Sequence, residues 1–195
     1  MNLIIKMLVT LSIIGILSGG LLSQIASWAA PHIAHHRAEA TKEAIFTVQP
    51  KAKNYIKIES AEIEAYKVVD ADSNSIGYAL VYEGSGFQGK IRLMVGLNDD
   101  LKTVNGLSIL EQVETPGLGT KIVEDASNKE DSFWFPNQFK DAEYDPELVS
   151  VKGAEASKPN EIQAITGATI SSKAVVLILN EGIEKLREMK NGGTL

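Results

Sequence analysis

The sequence predicts an α+β protein: one N-terminal transmembrane helix, then a compact domain in which an antiparallel sheet is closed by a C-terminal helix. Three observations lead there. Met7 to Ala30 is a run of 24 residues without a charge. Between Tyr66 and Val113, apolar or alternating runs are separated by turn residues and not by helical segments. Near the end, Val175, Val176, Leu179, Ile183 and Leu186 recur at roughly helical spacing.

The charge-free run, at 1.5 Å per residue, makes a helix of about 36 Å, enough to cross a bilayer with some tilt. A cleaved signal peptide is the alternative, but Pro31 directly after the small residues Ala29 and Ala30 is poorly placed for a cut. Ser12, Gly15, Gly19 and Ser23 share one helical face, and Gly15 and Gly19 have G-x-x-x-G spacing, which lets a neighbouring membrane helix come close. Trp28 fits the membrane–water interface. Ala38 to Ile45 continues as helix and must end before Pro50. Residues 1–45 are therefore read as anchor and juxtamembrane helix, and 46–195 as the domain.

In the domain, "YKVVDA" and "IGYALVYEG" flank Asp72-Ser73-Asn74-Ser75 and read as a hairpin. "GKIRLMVGLN" is a third strand, broken by Asn98-Asp99-Asp100, and "TVNGLSILEQV" a fourth. Two glycine-rich stretches, "EGSGFQG" (83–89) and "ETPGLGTK" (114–121), are turns that also allow close approach to a flat ligand. "SFWFPNQF" supplies Phe133, Trp134, Phe135 and Phe139 to the core or to a lid. The polar knot Thr166-Gly167-Ala168-Thr169-Ile170-Ser171-Ser172 opens the last helix. A helix N-terminus suits an anion, while Ser171 or Ser172 as a cap is the simpler reading.

Composition narrows the function classes. Residues 1–38 carry only Lys6 and Arg37 as charges, and the remainder holds 17 Lys+Arg against 25 Asp+Glu, a formal net charge of −8. So acidic a domain is poorly suited to nucleic acid or anionic headgroups. No cysteine is present, which excludes disulfides, thiolate-held iron–sulfur clusters and C-x-x-C-H haem attachment. His32, His35 and His36 follow the apolar run as interfacial polar residues, and no metal site is assigned to them.

"ETPGLGTK" followed by "AITGATISS" and a closing helix resembles the FMN-binding domain of the G subunit (RnfG) of Rnf ion-translocating electron transport complexes. The same domain occurs in the C subunit (NqrC) of the sodium-pumping NADH:quinone reductase. The resemblance spans essentially the whole chain, and the compact length is more like Rnf. It implies that Thr169, the last Thr of the Ser/Thr-Gly-Ala-Thr motif, carries FMN by a phosphoester bond installed by a flavin transferase. Thr166, Gly167, Ser171 and Ser172 would then be phosphate or cap partners, with Gly167 and Ala168 small enough to admit the flavin. Thr166, Ser171 and Ser172 are rival attachment points. Glu114, Thr115, Gly117, Leu118, Gly119 and Thr120 are implied ring contacts, with Lys121, Lys152 and the Gly86-Phe87 pair as further ones. One departure stands out: the family has Asp three residues before the motif, where this chain has Gln163.

The function so implied is a flavoprotein subunit that transfers electrons in ferredoxin-linked NAD reduction coupled to Na+ or H+ movement. It would have no independent active site and would pack against the other membrane subunits of the complex. Lys6 on one side of the span and Arg37 and Lys42 on the other leave orientation open; covalent FMN suits an extracytoplasmic domain on the cell (inner) membrane. Two alternatives remain: the quinone-reductase C subunit, and a non-redox, membrane-tethered binding or sensor module. A hydrolase using Ser171 or Thr169 lacks a base, since all three histidines lie beside the apolar run.

Overall fold

The computed structural model describes residues 2–60, 63–153 and 155–193. The chain divides into two compact units, Met1–Ala40 and Thr41–Leu195. Helix α1, Leu3–Val48, runs through the charge-free stretch with Pro31 inside it. It is the one helix among the described residues long and apolar enough to cross a membrane. Two of its hydroxyls donate back into the helix: Thr10 Oγ1 to the Lys6 carbonyl and Ser27 Oγ to the Ser23 carbonyl, each at 2.9 Å.

In the second unit, six strands pair in chain order into one antiparallel sheet. They are β1 (Asn54–Ile58), β2 (Glu64–Val69), β3 (Ser75–Ser85), β4 (Lys90–Leu97), β5 (Thr103–Glu111) and the two-residue β6 (Ala142–Glu143). The expected hairpin is present, with Val69 opposite Ser75 across the turn. The expected third and fourth strands are β4 and β5. Two expectations need correction. Glu83 to Ser85 pair with Lys90 to Arg92 as strand, so the first glycine-rich loop shrinks to Gly86–Gly89. A second sheet also exists, in which β7 (Val149–Val151) and β8 (Glu161–Gln163) run parallel. Three-residue strands are too short for periodicity to reveal.

Period-two alternation gives the large sheet two apolar faces. Tyr78, Leu80, Leu93 and Val95 point into one core, which is covered by α3 (Thr169–Asn191). All five apolar positions expected on this helix are buried. Ala79, Val81 and Met94 point into a second core with Ala44, Ile45 and Val48, so the last two turns of α1 cover the opposite face. Those turns lie close because Gly96 and Gly106 are cross-strand partners beneath Val48. A Cβ at Gly96 would fall inside the Val48 carbonyl, and one at Gly106 would lie 3.2 Å from the Val48 Cα.

Polar groups fix this contact. Gln49 is buried; its Nε2 donates to the carbonyls of Tyr78 (3.0 Å) and Leu97 (2.8 Å), and its Oε1 accepts from Asn105 (2.9 Å). Arg92 donates to Glu64 at 2.8 Å and to Thr41 Oγ1 at 3.4 Å, with Glu111 at 3.7 Å. The Tyr66 hydroxyl donates to Glu64 at 2.7 Å, and burial together with that carboxylate raises its pKa well above the usual phenol value.

Gly96→Ala is expected to lower stability by about 1–3 kcal/mol, since the added methyl must displace backbone. Gly20→Ala, inside α1 where nothing lies within 4 Å, should cause no such loss, because alanine is the better helix former. Denaturant unfolding of the full chain in detergent measures both.

Candidate functional site

The second glycine-rich loop leaves β5 and turns back on itself. The Thr115 carbonyl accepts from the N–H groups of Leu118 and Thr120, both at 3.2 Å, and Gly117 N–H donates to Thr120 Oγ1 at 2.9 Å. Gly117 has φ +73°, which an L side chain rarely adopts. The chain then enters a 3-10 turn, Gly119–Ile122, that carries Lys121.

One side chain of this loop is hydrogen-bonded to the start of α3. Glu114 is 3% exposed. Its Oε1 accepts from the N–H groups of Phe87 (2.8 Å) and Gln88 (3.1 Å) in the first glycine-rich loop. Its Oε2 accepts from Ser171 Oγ at 2.5 Å. Both glycine-rich stretches and the polar knot thus meet at a buried carboxylate.

The knot itself is not the serine-capped terminus that the sequence suggests. The cap residue is Ala168, and no side chain caps the helix. Ser172 Oγ accepts from Ile165 N–H and donates to the Ala168 carbonyl, both at 3.0 Å, which staples the incoming turn. Ser171 is held by Glu114. Both serines are therefore buried and hydrogen-bonded. Thr169 and Thr166 differ: the first is half-buried and the second exposed. The first helical hydrogen bond runs from Ser172 N–H to the Ala168 carbonyl at 3.0 Å. The N–H groups of Thr169, Ile170 and Ser171 precede it, as orphan donors of the first turn. Gly167 has φ +86°, and a Cβ there would meet only Leu118 Cδ2 at 3.4 Å.

Beside Thr166 lies a cleft of about 220 Å³ lined by Lys121, Asp125, Asn128, Trp134, Gln163 and neighbouring residues. Lys121 pairs with Asp125 at 3.0 Å, and the hydroxyl of Ser127 first, then Lys121, hold the Asp125 carboxyl below its ordinary pKa. Of the aromatic cluster, Phe135 and Phe139 are buried edge to face at 5.5 Å, while Trp134 is half-buried at the cleft.

Residues 86–184 match the FMN-binding domain family. The chain belongs to that family. The G subunit of an ion-translocating oxidoreductase complex from Methanosarcina acetivorans is 29% identical over 189 residues, covering 93% of each chain. Its counterpart in a proton-translocating ferredoxin:NAD(+) oxidoreductase complex from Clostridium ljungdahlii is 28% identical over 191 residues, covering 98% of this chain and 96% of that protein. The crystal structure of NqrC from Shewanella oneidensis superposes with a TM-score of 0.53 at 19% identity, covering 70% of this chain and 67% of that one, and shares the fold.

For an FMN-binding domain the residues fit their ligand class. First-turn N–H groups and a glycine at positive φ suit a phosphate, and Trp134 offers an aromatic wall. Thr115, Gly117, Leu118, Gly119, Thr120 and Lys121 are drawn together in one loop, with Leu118 against Gly167. Lys152 follows β7 on the surface, and none of the contacts joining Glu114, this loop and α3 involves it. Sequence reasoning passed over Asp125, Asn128 and Gln138. Gln138 pairs with the backbone of Gln163, accepting from its N–H at 2.8 Å and donating to its carbonyl at 3.2 Å. Gln163, at the position where the family's Asp was expected, is one of the residues that line the cleft. His35, His36 and Glu39 bring their ligand atoms within 4.8 Å of one another, but all three are exposed.

Ser172→Ala is expected to leave Ile165 N–H without its acceptor and to cost about 1–3 kcal/mol. Thermal unfolding of the purified chain measures it, and an unchanged midpoint would show that the staple is dispensable.

Proposed function

We propose that this chain is a membrane-anchored electron-transfer subunit that carries FMN on Thr169 through a phosphoester bond, in an Rnf-type complex coupling ferredoxin:NAD electron flow to Na+ or H+ translocation. The observation that carries the reading is the state of the four hydroxyls in the knot. Ser171 and Ser172 are buried and engaged, so they cannot be presented to a modifying enzyme. Thr169 stands partly open as the first residue of α3, beside orphan N–H donors that favour a phosphate. Thr166 is open too, but it lies in the turn before the helix.

FMN supplies one- and two-electron transfer; the chain supplies attachment, orientation and electrostatics. Thr169 Oγ1 holds the phosphoryl group, and the first turn of α3 orients it. Lys121, at the cleft, offers a cation near the ligand. Relatives named as G subunits of ion-translocating and ferredoxin:NAD(+) oxidoreductase complexes match this chain nearly end to end, which favours that complex over the quinone reductase. The fold shared with NqrC keeps the C subunit as the second reading. The subunits that co-purify from native membranes separate the two. Covalent attachment favours a domain on the extracytoplasmic side, where lost cofactor is not readily replaced.

Intact mass of protein made with and without a flavin transferase tests the assignment. The expected result is a transferase-dependent gain of one FMN less one water on the peptide containing Thr169, abolished in Thr169→Val. Fluorescent flavin retained on denatured Thr169→Val protein would move the attachment elsewhere. No gain in the wild type would favour a non-covalent binding module and implicate Gln163.

A further inference from the structure

Glu114 is the buried acid in the ligand-bearing half of the domain, and the fold is shaped around it. Its carboxylate joins three segments distant in sequence: the Gly86–Gly89 turn, the loop after β5 and the first turn of α3. Its own N–H donates to Gln112 Oε1 at 2.6 Å, which fixes the backbone from which the side chain departs. The two glycine-rich stretches yield to it as well. A Cβ at Gly86 would overlap Glu114 Oε1, and one at Gly119 would lie 2.7 Å from the Glu114 Cβ, 2.9 Å from Oε2 and 3.0 Å from Ser171 Oγ. Those two glycines make room for a carboxylate and not for a flat ring. Gly117, with nothing within 4 Å of its Cβ position, is the open one.

We propose that Glu114 is a positioning residue for flavin attachment: it holds Ser171, and through it the first turn of α3, so that Thr169 is presented at a fixed place. The role rests on the reading of Thr169 as the flavin-bearing residue. It differs from the ring contact implied by family resemblance, because a side chain 3% exposed with both oxygens engaged has no surface to offer a ring. A carboxylate suits the task because it accepts several hydrogen bonds at once, and charge-assisted bonds are about twice as strong as neutral ones. Holding Ser171 also removes the nearest competing hydroxyl from the transferase.

The test uses the full chain in detergent, as wild type, Glu114→Gln and Glu114→Ala, each made with and without a flavin transferase. Glutamine retains an acceptor for the Phe87 and Gln88 N–H groups and can donate to Ser171 Oγ. It is therefore expected to keep FMN incorporation within about twofold of wild type, whereas alanine should cut it by about tenfold or more. Hydrogen exchange on the unflavinylated proteins reads the frame itself. In Glu114→Ala the Phe87 and Gln88 amides should exchange about tenfold faster or more, while Leu80 and Leu93 in the sheet stay protected. Should the alanine variant lose protection in the sheet too, Ser171→Ala replaces it. That variant should lower FMN yield while Phe87 and Gln88 stay protected. Alanine at 114 incorporating FMN like wild type, or glutamine failing as badly as alanine, overturns the proposal. Wild type that takes up no FMN defeats the functional reading instead, and the exchange result still decides whether Glu114 organises the three segments.

Discussion

The constraint on which the domain depends is that its large sheet is apolar on both faces. An antiparallel sheet can leave one face to water, but here Ala79, Val81 and Met94 alternate with Tyr78, Leu80, Leu93 and Val95 along the central strands. Two covers are required. The C-terminal helix supplies one. The last two turns of the membrane-type helix supply the second. Glycines at 96 and 106 clear the sheet surface where that helix ends, and Gln49 then satisfies strand carbonyls that the helix end would otherwise shield from water. Burying such apolar side chains contributes about 1.5–3 kcal/mol each, so the cover is part of the fold and not an accessory to it.

That arrangement explains what was legible in the sequence and what was not. Elements with long, clean periods were readable: the charge-free run, the β2–β3 hairpin, β4, β5 and the helical spacing from Val175 to Leu186. The role of Thr41, Ala44, Ile45 and Val48 was not, because a helix leaving a membrane is expected to be polar-faced, and nothing local says where its apolar face goes. Strands β7 and β8 escaped because they are three residues each and pair in parallel across intervening chain. At the site, the motif residues were visible as a group, but their division of labour was not. Ser171, Ser172 and Thr169 are chemically alike in sequence; only burial separates the two that brace the turn from the one left accessible. Glu114 likewise reads as a loop carboxylate until its three donors, from residues 87, 88 and 171, are brought to it. Trp134 carried a signal as part of an aromatic cluster, whereas Asp125 and Asn128 carried none.

The cleft has its own physical meaning. Pockets that hold a free cofactor enclose about 300–1,000 Å³. The space beside Thr166 is smaller, about 220 Å³, and is partly open. Were the flavin of the proposed reading to rest against this cleft, burial alone would hold it weakly. A covalent tether removes that requirement, since the ligand no longer has to bind from solution. In the proposed reading, shallow walls and a hydroxyl anchor belong together: the bond retains the cofactor, and the open edge leaves it accessible to a partner.

A tethered group is only as well placed as its point of attachment. Thr169 sits at the first position of a helix whose inner face, from Ala174 to Leu186, is locked against the sheet. The turn before it is stapled by Ser172 and the turn after it is held through Ser171 by Glu114. Precision at the proposed attachment point therefore comes from side chains that never meet the ligand. Had Ser171 or Ser172 been the modified residue, one of those braces would have been broken by the modification itself. Modification at either threonine of the knot would leave both braces intact, and of the two Thr169 is the one carried on the helix that those braces hold.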